Sequence, residues 1–240
     1  MSSHPDQAGL RNALLASLPE AAFGRLAPHL ERLSLEMGHV VQSPGAPVEH
    51  AYFPEPGVIS VVARGAGRER IEAGIIGPEG MTGVCVALGV DRTPDETFVQ
   101  VPCRVLRIAA ADLRGALADS RPLHEHLLRF AYVFSVQLSQ TALANGRATI
   151  DERLARWLLM CHDRCDREDL PITHETLSLM LGVRRAGVTT ALASLAAAGA
   201  IGARRGSIRI RDRTVLIEAA GDIYGVAEAE YRRLFETAAA

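Results

Sequence analysis

The stretch that most constrains this 240-residue chain runs from Thr173 to Ile210. Leu177, Met180 and Leu181 fall on one helical face, Gly182 is free to take positive φ, and Val188, Leu192 and Leu195 form the inward face of a second helix. The pattern is helix, tight turn, helix. Thr173 stands as N-cap of the first helix, beside His174, where its hydroxyl satisfies an orphan N–H and the helix start can face a phosphate. Beyond Gly199, Gly206 sits at a turn between two short β-prone segments, as in a wing. From Arg184 to Arg211 come Arg184, Arg185, Arg204, Arg205, Arg209 and Arg211, with no Asp or Glu among them. A guanidinium fork matches guanine O6 and N7 or a phosphate, so Arg184 and Arg185 are expected to enter the major groove with Thr189 and Thr190 one turn on. Arg204 and Arg205 would grip the backbone from the wing. The competing reading is an ordinary helical hairpin with a solvated basic face.

From Thr173 through Ile201 the chain resembles, without a gap, the C-terminal winged helix of the cyclic-AMP receptor protein/FNR (CRP/FNR) family of bacterial transcription regulators. The resemblance assigns base contacts to Arg185, Ala186 and Thr190. Arg185 keeps the family's arginine, Ala186 stands where many members have an acidic residue, and Thr190 where some have a second arginine. The operator should therefore differ from the best-known family site.

Composition limits how such a protein can hold DNA. The net charge is −2, so affinity for nucleic acid must come from a local patch rather than from bulk charge. All 26 basic residues are arginine, a preference that a high-GC genome explains without recognition chemistry. No run of eighteen apolar residues occurs, and Met1 to Arg11 lacks an apolar h-region, so a cytoplasmic protein with no membrane partner is expected. The four cysteines, Cys85, Cys103, Cys161 and Cys165, fit a reducing compartment. Cys161, His162 and Cys165 share one turn of helix, but a metal site needs three or four converging ligands, and only His174 is a further candidate. Packing is the expected role, and no metal is assigned. The oxygen-sensing branch of the family carries an N-terminal cysteine cluster; nothing before Cys85 supplies one, so no iron-sulfur cluster is expected.

Upstream, Leu10 to Leu30 reads as two short amphipathic helices broken at Pro19. Short β-prone runs follow, punctuated by Gly and Pro every eight to twelve residues, with Tyr52–Phe53, Val58–Val62, Glu96–Val101 and Arg104–Ile108 the densest. That spacing suggests an antiparallel barrel or jelly roll, and it resembles the family's β-roll sensor. Members that bind cyclic nucleotides use a Gly-Glu turn for the ribose and an Arg followed by a small hydroxyl residue for the phosphate. Gly77, Glu79 and Gly80 match the first half with Pro78 inserted, and Arg92 with Thr93 is a displaced substitute for the second. The acidic pair Asp95 and Glu96 would repel a phosphate, so a cyclic nucleotide is disfavoured and no cofactor is assigned.

Leu123, Leu127, Phe130, Phe134, Leu138, Thr141 and Asn145 recur at spacings close to a heptad seam. In the family the corresponding helix pairs with its copy, and two half-sites one helical turn apart require a two-fold dimer. The alternative is a core helix packed on its own roll. His124 and His126 at its start could ligate heme, although satisfied histidines are commoner. Gly146 is the expected hinge, and Thr149 with Glu152 reads as a capping box for the next helix. The expected fold is α+β: a jelly-roll-like antiparallel β-roll over 1–120, a dimerisation helix and hinge over 121–146, a winged helix-turn-helix over 147–212, and a helical extension over 213–240. The expected function is a homodimeric regulator that binds a palindromic operator in double-stranded DNA, with RNA polymerase a further partner if it activates. An enzyme using Cys103 or Cys161 finds no catalytic motif in support. A ligand- or redox-sensing protein whose winged helix contacts protein rather than DNA is the alternative.

Overall fold

The computed structural model describes residues 5–67 and 69–236. Asn12 caps α1 (Ala13–Ala16), accepting from Leu15 N, and its buried amide donates to the carbonyls of Pro54 and Gly80 at 2.8 and 2.9 Å. One side chain thus fixes the entry of the chain against two later loops. α2 (Glu20–Leu26) starts at Pro19, as the break predicts, and seats Ala22, Phe23 and Leu26 on the roll. The roll itself is β1 (Glu31–Leu35), β2 (Val40–Gln42), β3 (His50–Pro54), β4 (Val58–Arg64), β5 (Arg70–Ile76), the short α3 (Val84–Ala87), β6 (Glu96–Val101) and β7 (Cys103–Ala109). These make two antiparallel sheets, ordered β1-β7-β3 and β2-β6-β4-β5, so neighbours in space are distant in sequence, as in a jelly roll.

α4 (Ala110–Asp119) leads into α5 (Arg121–Arg147), a helix of 27 residues whose N-cap is Ser120. α5 does not end at Gly146 but one residue later, and α6 (Ile150–Arg164) opens on the predicted capping box, with Glu152 and Thr149 bonded reciprocally. Then come β8 (Asp169–Leu170), α7 (His174–Leu181), α8 (Arg185–Ala197), β9 (Ile201–Arg204), β10 (Ser207–Ile210), α9 (Arg213–Ala220) and α10 (Val226–Phe235). The whole is α+β: an antiparallel roll, one long helix and a winged helix-turn-helix. Among the described residues no helix is long and apolar enough to cross a membrane.

Two expectations change. Leu123, Leu127 and Phe130 are buried in the core of their own roll, with Leu14, Phe53 and Leu113, rather than forming an open seam. The exposed stripe of α5 lies on another face, at Leu128, Tyr132, Ser135, Ser139, Ala142 and Gly146, and its spacings of four and three keep a heptad period. The roll and the winged helix are also not separated by a bare hinge. Val58, Val62, Ile75 and Val101 of the roll share one apolar cluster with Trp157, Leu158, Leu181 and Leu192. The C-terminal extension spans both cores, because Leu216 and Ala220 of α9 join that cluster while Phe235 of α10 packs in the roll core, edge-on to His126.

Candidate functional site

The reading unit is built from its caps outward. Thr173 Oγ1 accepts from Thr176 N at 3.1 Å, satisfying one orphan donor of α7. Gly182 ends that helix at φ 62°, and a Cβ there would meet Ile71 Cδ1 of the roll at 2.8 Å, so both the backbone and the neighbour demand glycine. Val183 and Arg184 complete the turn. Arg184 is the N-cap of α8 but its side chain makes no capping bond, which leaves the first N–H groups of α8 open to an anion. Val188, Leu192 and Leu195 face the core, so Arg185, Ala186, Thr189 and Thr190 are exposed together. Thr189 and Thr190 donate back to the carbonyls of Arg185 and Ala186 at 3.1 and 3.2 Å. His174 lies 3.2 Å from Thr189 Oγ1, which fastens α7 to this face.

β9 and β10 form the wing. Ser207 pairs with Arg204, and Gly206, at φ 76°, is the second residue of the two-residue turn. β8 adds a third strand on the β10 side, and here the acid-free run meets an acid from outside it: Asp169 takes Arg209 Nε at 2.9 and 3.0 Å. The carboxylate of Asp169 falls below its usual range through that bond. The turn at Asp166 to Asp169 is therefore more than solvated charge. Arg211 lies over Gly202, within 2.7 Å of where a Cβ would stand. Arg184, Arg185, Arg204 and Arg205 remain exposed, and among the described residues no carboxylate pairs with them. Among the described residues only Arg209 of the six arginines is taken by a carboxylate; Arg211, also exposed, folds over Gly202 instead of pairing with an acid.

The sensor residues divide differently from expectation. A cavity of about 250 Å³ lies between the roll and α5, lined by Val61, Thr82, Val84, Thr93, Asp95 and Thr97 and floored by Ala131, Phe134, Ser135 and Leu138. Among the described residues no arginine lines it. Of Gly77, Glu79, Gly80, Arg92 and Thr93, only Thr93 reaches this space. Glu79 instead accepts from Arg164 Nε of α6 at 2.7 Å, Gly77 packs on the Arg164 side chain, and Gly80 leaves room for the Phe130 ring. That turn is a joint between sensor and reader. Arg92 donates to Gly45 O at 3.3 Å at the surface. Glu96 is neutralised by Arg64 and Arg70 at 3.1 and 2.8 Å, so Asp95 alone brings acid to the cavity wall. Gln42 Nε2, also at the wall, is buried without a partner. These links had no local signal: Glu79 and Arg164 are 85 residues apart.

A second buried joint escaped sequence reasoning. Glu72 of β5 accepts from Ser60 Oγ at 2.6 Å and from Trp157 Nε1 of α6 at 2.5 Å. Desolvation pushes its carboxyl up to about 7, against the lowering effect of those two bonds and of Arg156 and Arg164. The thiols are poor nucleophiles: burial pushes Cys103 up to about 12, Cys165 up to about 11 and Cys161 well up. Among the described residues no group of three metal-ligating side chains forms, and His124 and His126 are bonded to the carbonyls of Ala87 and Leu14.

Residues 152–219, the stretch that holds α6, the reading helices and the wing, match the family of Crp-like helix-turn-helix domains. The chain carries a Crp-like helix-turn-helix domain and is of the CRP/FNR type of transcription regulator. A CRP-like cAMP-activated global transcriptional regulator from Mycobacterium tuberculosis is 28% identical over 224 aligned residues, covering 88% of this chain and 95% of that one. Two solved structures share the fold at lower identity. FixK2 from Bradyrhizobium japonicum is 17% identical with a TM-score of 0.66, over 80% of this chain and 98% of its own. The c-di-GMP responsive regulator CLP from Xanthomonas campestris is 17% identical with a TM-score of 0.63, over 81% of this chain and the whole of its own. The CRP/FNR chain described here is thus a DNA-binding transcription regulator. The family's signals vary even among these relatives, so the signal must be argued from the cavity.

Proposed function

We propose that the protein acts as a homodimer that reads a two-fold-symmetric operator, with α8 in the major groove and the wing on the backbone of each half-site. Residues 1–120 sense, 121–146 pair the subunits, 147–212 read, and 213–240 brace the reader on the sensor. The observation that carries this is the set of four unpaired arginines, Arg184, Arg185, Arg204 and Arg205, on one exposed face around the start of α8 and the wing. Arg185, Ala186, Thr189 and Thr190 are the base-facing set; Thr173, His174, Arg204 and Arg205 position the backbone. The pairing face is the exposed stripe of α5, where Leu128, Tyr132 and Leu143 are 37%, 51% and 48% exposed and Ser135, Ser139 and Ala142 permit close approach.

The roll cavity argues against a phosphate-bearing signal. Among the described residues its wall has a carboxylate, three threonines and an unpartnered amide nitrogen but no guanidinium. An uncharged or cationic small molecule suits those groups, and neither cyclic AMP nor cyclic GMP does. Sequencing of duplexes retained from a random pool tests the first part, with a palindrome of half-sites one helical turn apart expected and an asymmetric or absent consensus opposing it. Calorimetry with the two cyclic nucleotides tests the second; micromolar binding of either would overturn it.

A further inference from the structure

The C-terminal extension roofs a second cavity, of about 350 Å³, between α10, α5 and the turn at residues 77–80. Its lining shares only Phe134 with the roll cavity, and its size suits a small organic molecule. Aromatic rings approach it from two helices: Phe130 stacks with Phe134 on α5 at 6.2 Å, and Tyr231 on α10 is held against Phe235 at 4.7 Å. Gln137 is 5% exposed; its Oε1 accepts from Ile75 N at 2.7 Å, and its amide nitrogen has no partner among the described residues. The Glu228 carboxylate, half-buried at the wall, likewise has no ion pair there. The buried Arg156 and Arg164 lie within electrostatic reach of it, but neither forms an ion pair with it: Arg164 is paired with Glu79 and Arg213 with Asp163, and Arg232 at the rim is engaged too.

We propose that this cavity is a ligand site for a flat aromatic molecule carrying a cationic amine or amidine. The head sits on Glu228, the ring lies among Phe130, Phe134 and Tyr231, and Gln137 donates to an acceptor on the ligand. Ring faces attract cations as well as apolar surface, so both parts of the lining select the same class. An anion of the same shape meets an unpaired carboxylate and no unpaired guanidinium.

Matched probes separate head charge from ring shape. Tyramine, tryptamine and benzamidine would be titrated against the full chain by ligand-observed NMR beside 4-hydroxyphenylacetate, indole-3-acetate and benzoate. At least one amine or amidine is expected to bind about tenfold or more tighter than its matched acid. Glu228→Gln should erase that preference, Glu228→Asp should keep it, and Asp95→Asn in the roll cavity should leave it unchanged. Binding by none of the cations, equal binding of a matched pair, a preference that survives Glu228→Gln, or one lost in Asp95→Asn would each overturn the assignment. None of these outcomes depends on whether the protein reads a palindrome.

Discussion

At the scale of single residues, the reading face assigns different tasks to two arginines of the same charge. Arg185 stands in the first turn of α8 with Ala186 and Thr189, the set proposed to meet base edges, whereas Arg204 stands on the wing. Arg185→Ala should relax preference at one position of each half-site at a cost of about 1 to 3 kcal/mol, while Arg204→Ala should weaken all sequences alike. Binding measured on the selected operator and its single-base variants distinguishes them; identical profiles would contradict this docking. Glu72 makes a different kind of residue-scale prediction. Its folded value of about 7 lies above the ordinary 4.5, so the fold favours the protonated carboxyl. The resulting stability is fully present below pH 4.5 and is lost as pH rises to about 7, on the order of 3 kcal/mol in all. Glu72→Gln keeps acceptors and donors for Trp157 and Ser60, so its urea stability should be flat across that window and at least equal to wild type above it.

At the scale of elements, what sequence could read was whatever is specified locally. The capping box at Thr149 and Glu152, the cap at Thr173 and the glycine stop at Gly182 all lie within a few residues of what they satisfy. The heptad period of α5 was legible but its partner was not: apolar spacing marks Leu123, Leu127 and Phe130 as buried without saying whether the roll or a second subunit buries them. The pairs Glu79 with Arg164 and Asp169 with Arg209 join segments far apart in sequence, so the Gly-Glu turn resembled a ligand contact and the acid that holds Arg209 lay outside the acid-free run. Two predictions belong here. Gly182→Ala forces a Cβ into the left-handed region and toward Ile71, and should cost about 1 to 2 kcal/mol by denaturant unfolding. Ser139→Arg places a long charged side chain in the middle of the exposed α5 stripe, and on the proposed pairing sedimentation should find wild type as a dimer and the variant as a monomer at the same concentration.

For the whole molecule, sensor and reader form one packed body in this structure. The cluster linking Val58 and Ile75 to Trp157 and Leu181, the buried Glu72 joint and the Glu79–Arg164 pair connect the roll directly to α6 and α7. The extension adds a strap from the reader's core to the roll's. Phe235→Ala removes its anchor and should lower stability by about 2 to 3 kcal/mol, read by urea unfolding. A signal in the roll cavity would touch α5 through Phe134 and Leu138, and so would reach both the proposed pairing face and the reader along one helix. The central claim is that two sets of four arginines meet the phosphates and bases of one duplex. The most direct measurement is operator affinity as a function of salt, for which a log–log slope of roughly −5 to −7 is expected from counterion release. A slope near zero would contradict it, because binding that releases no counterions does not use this face.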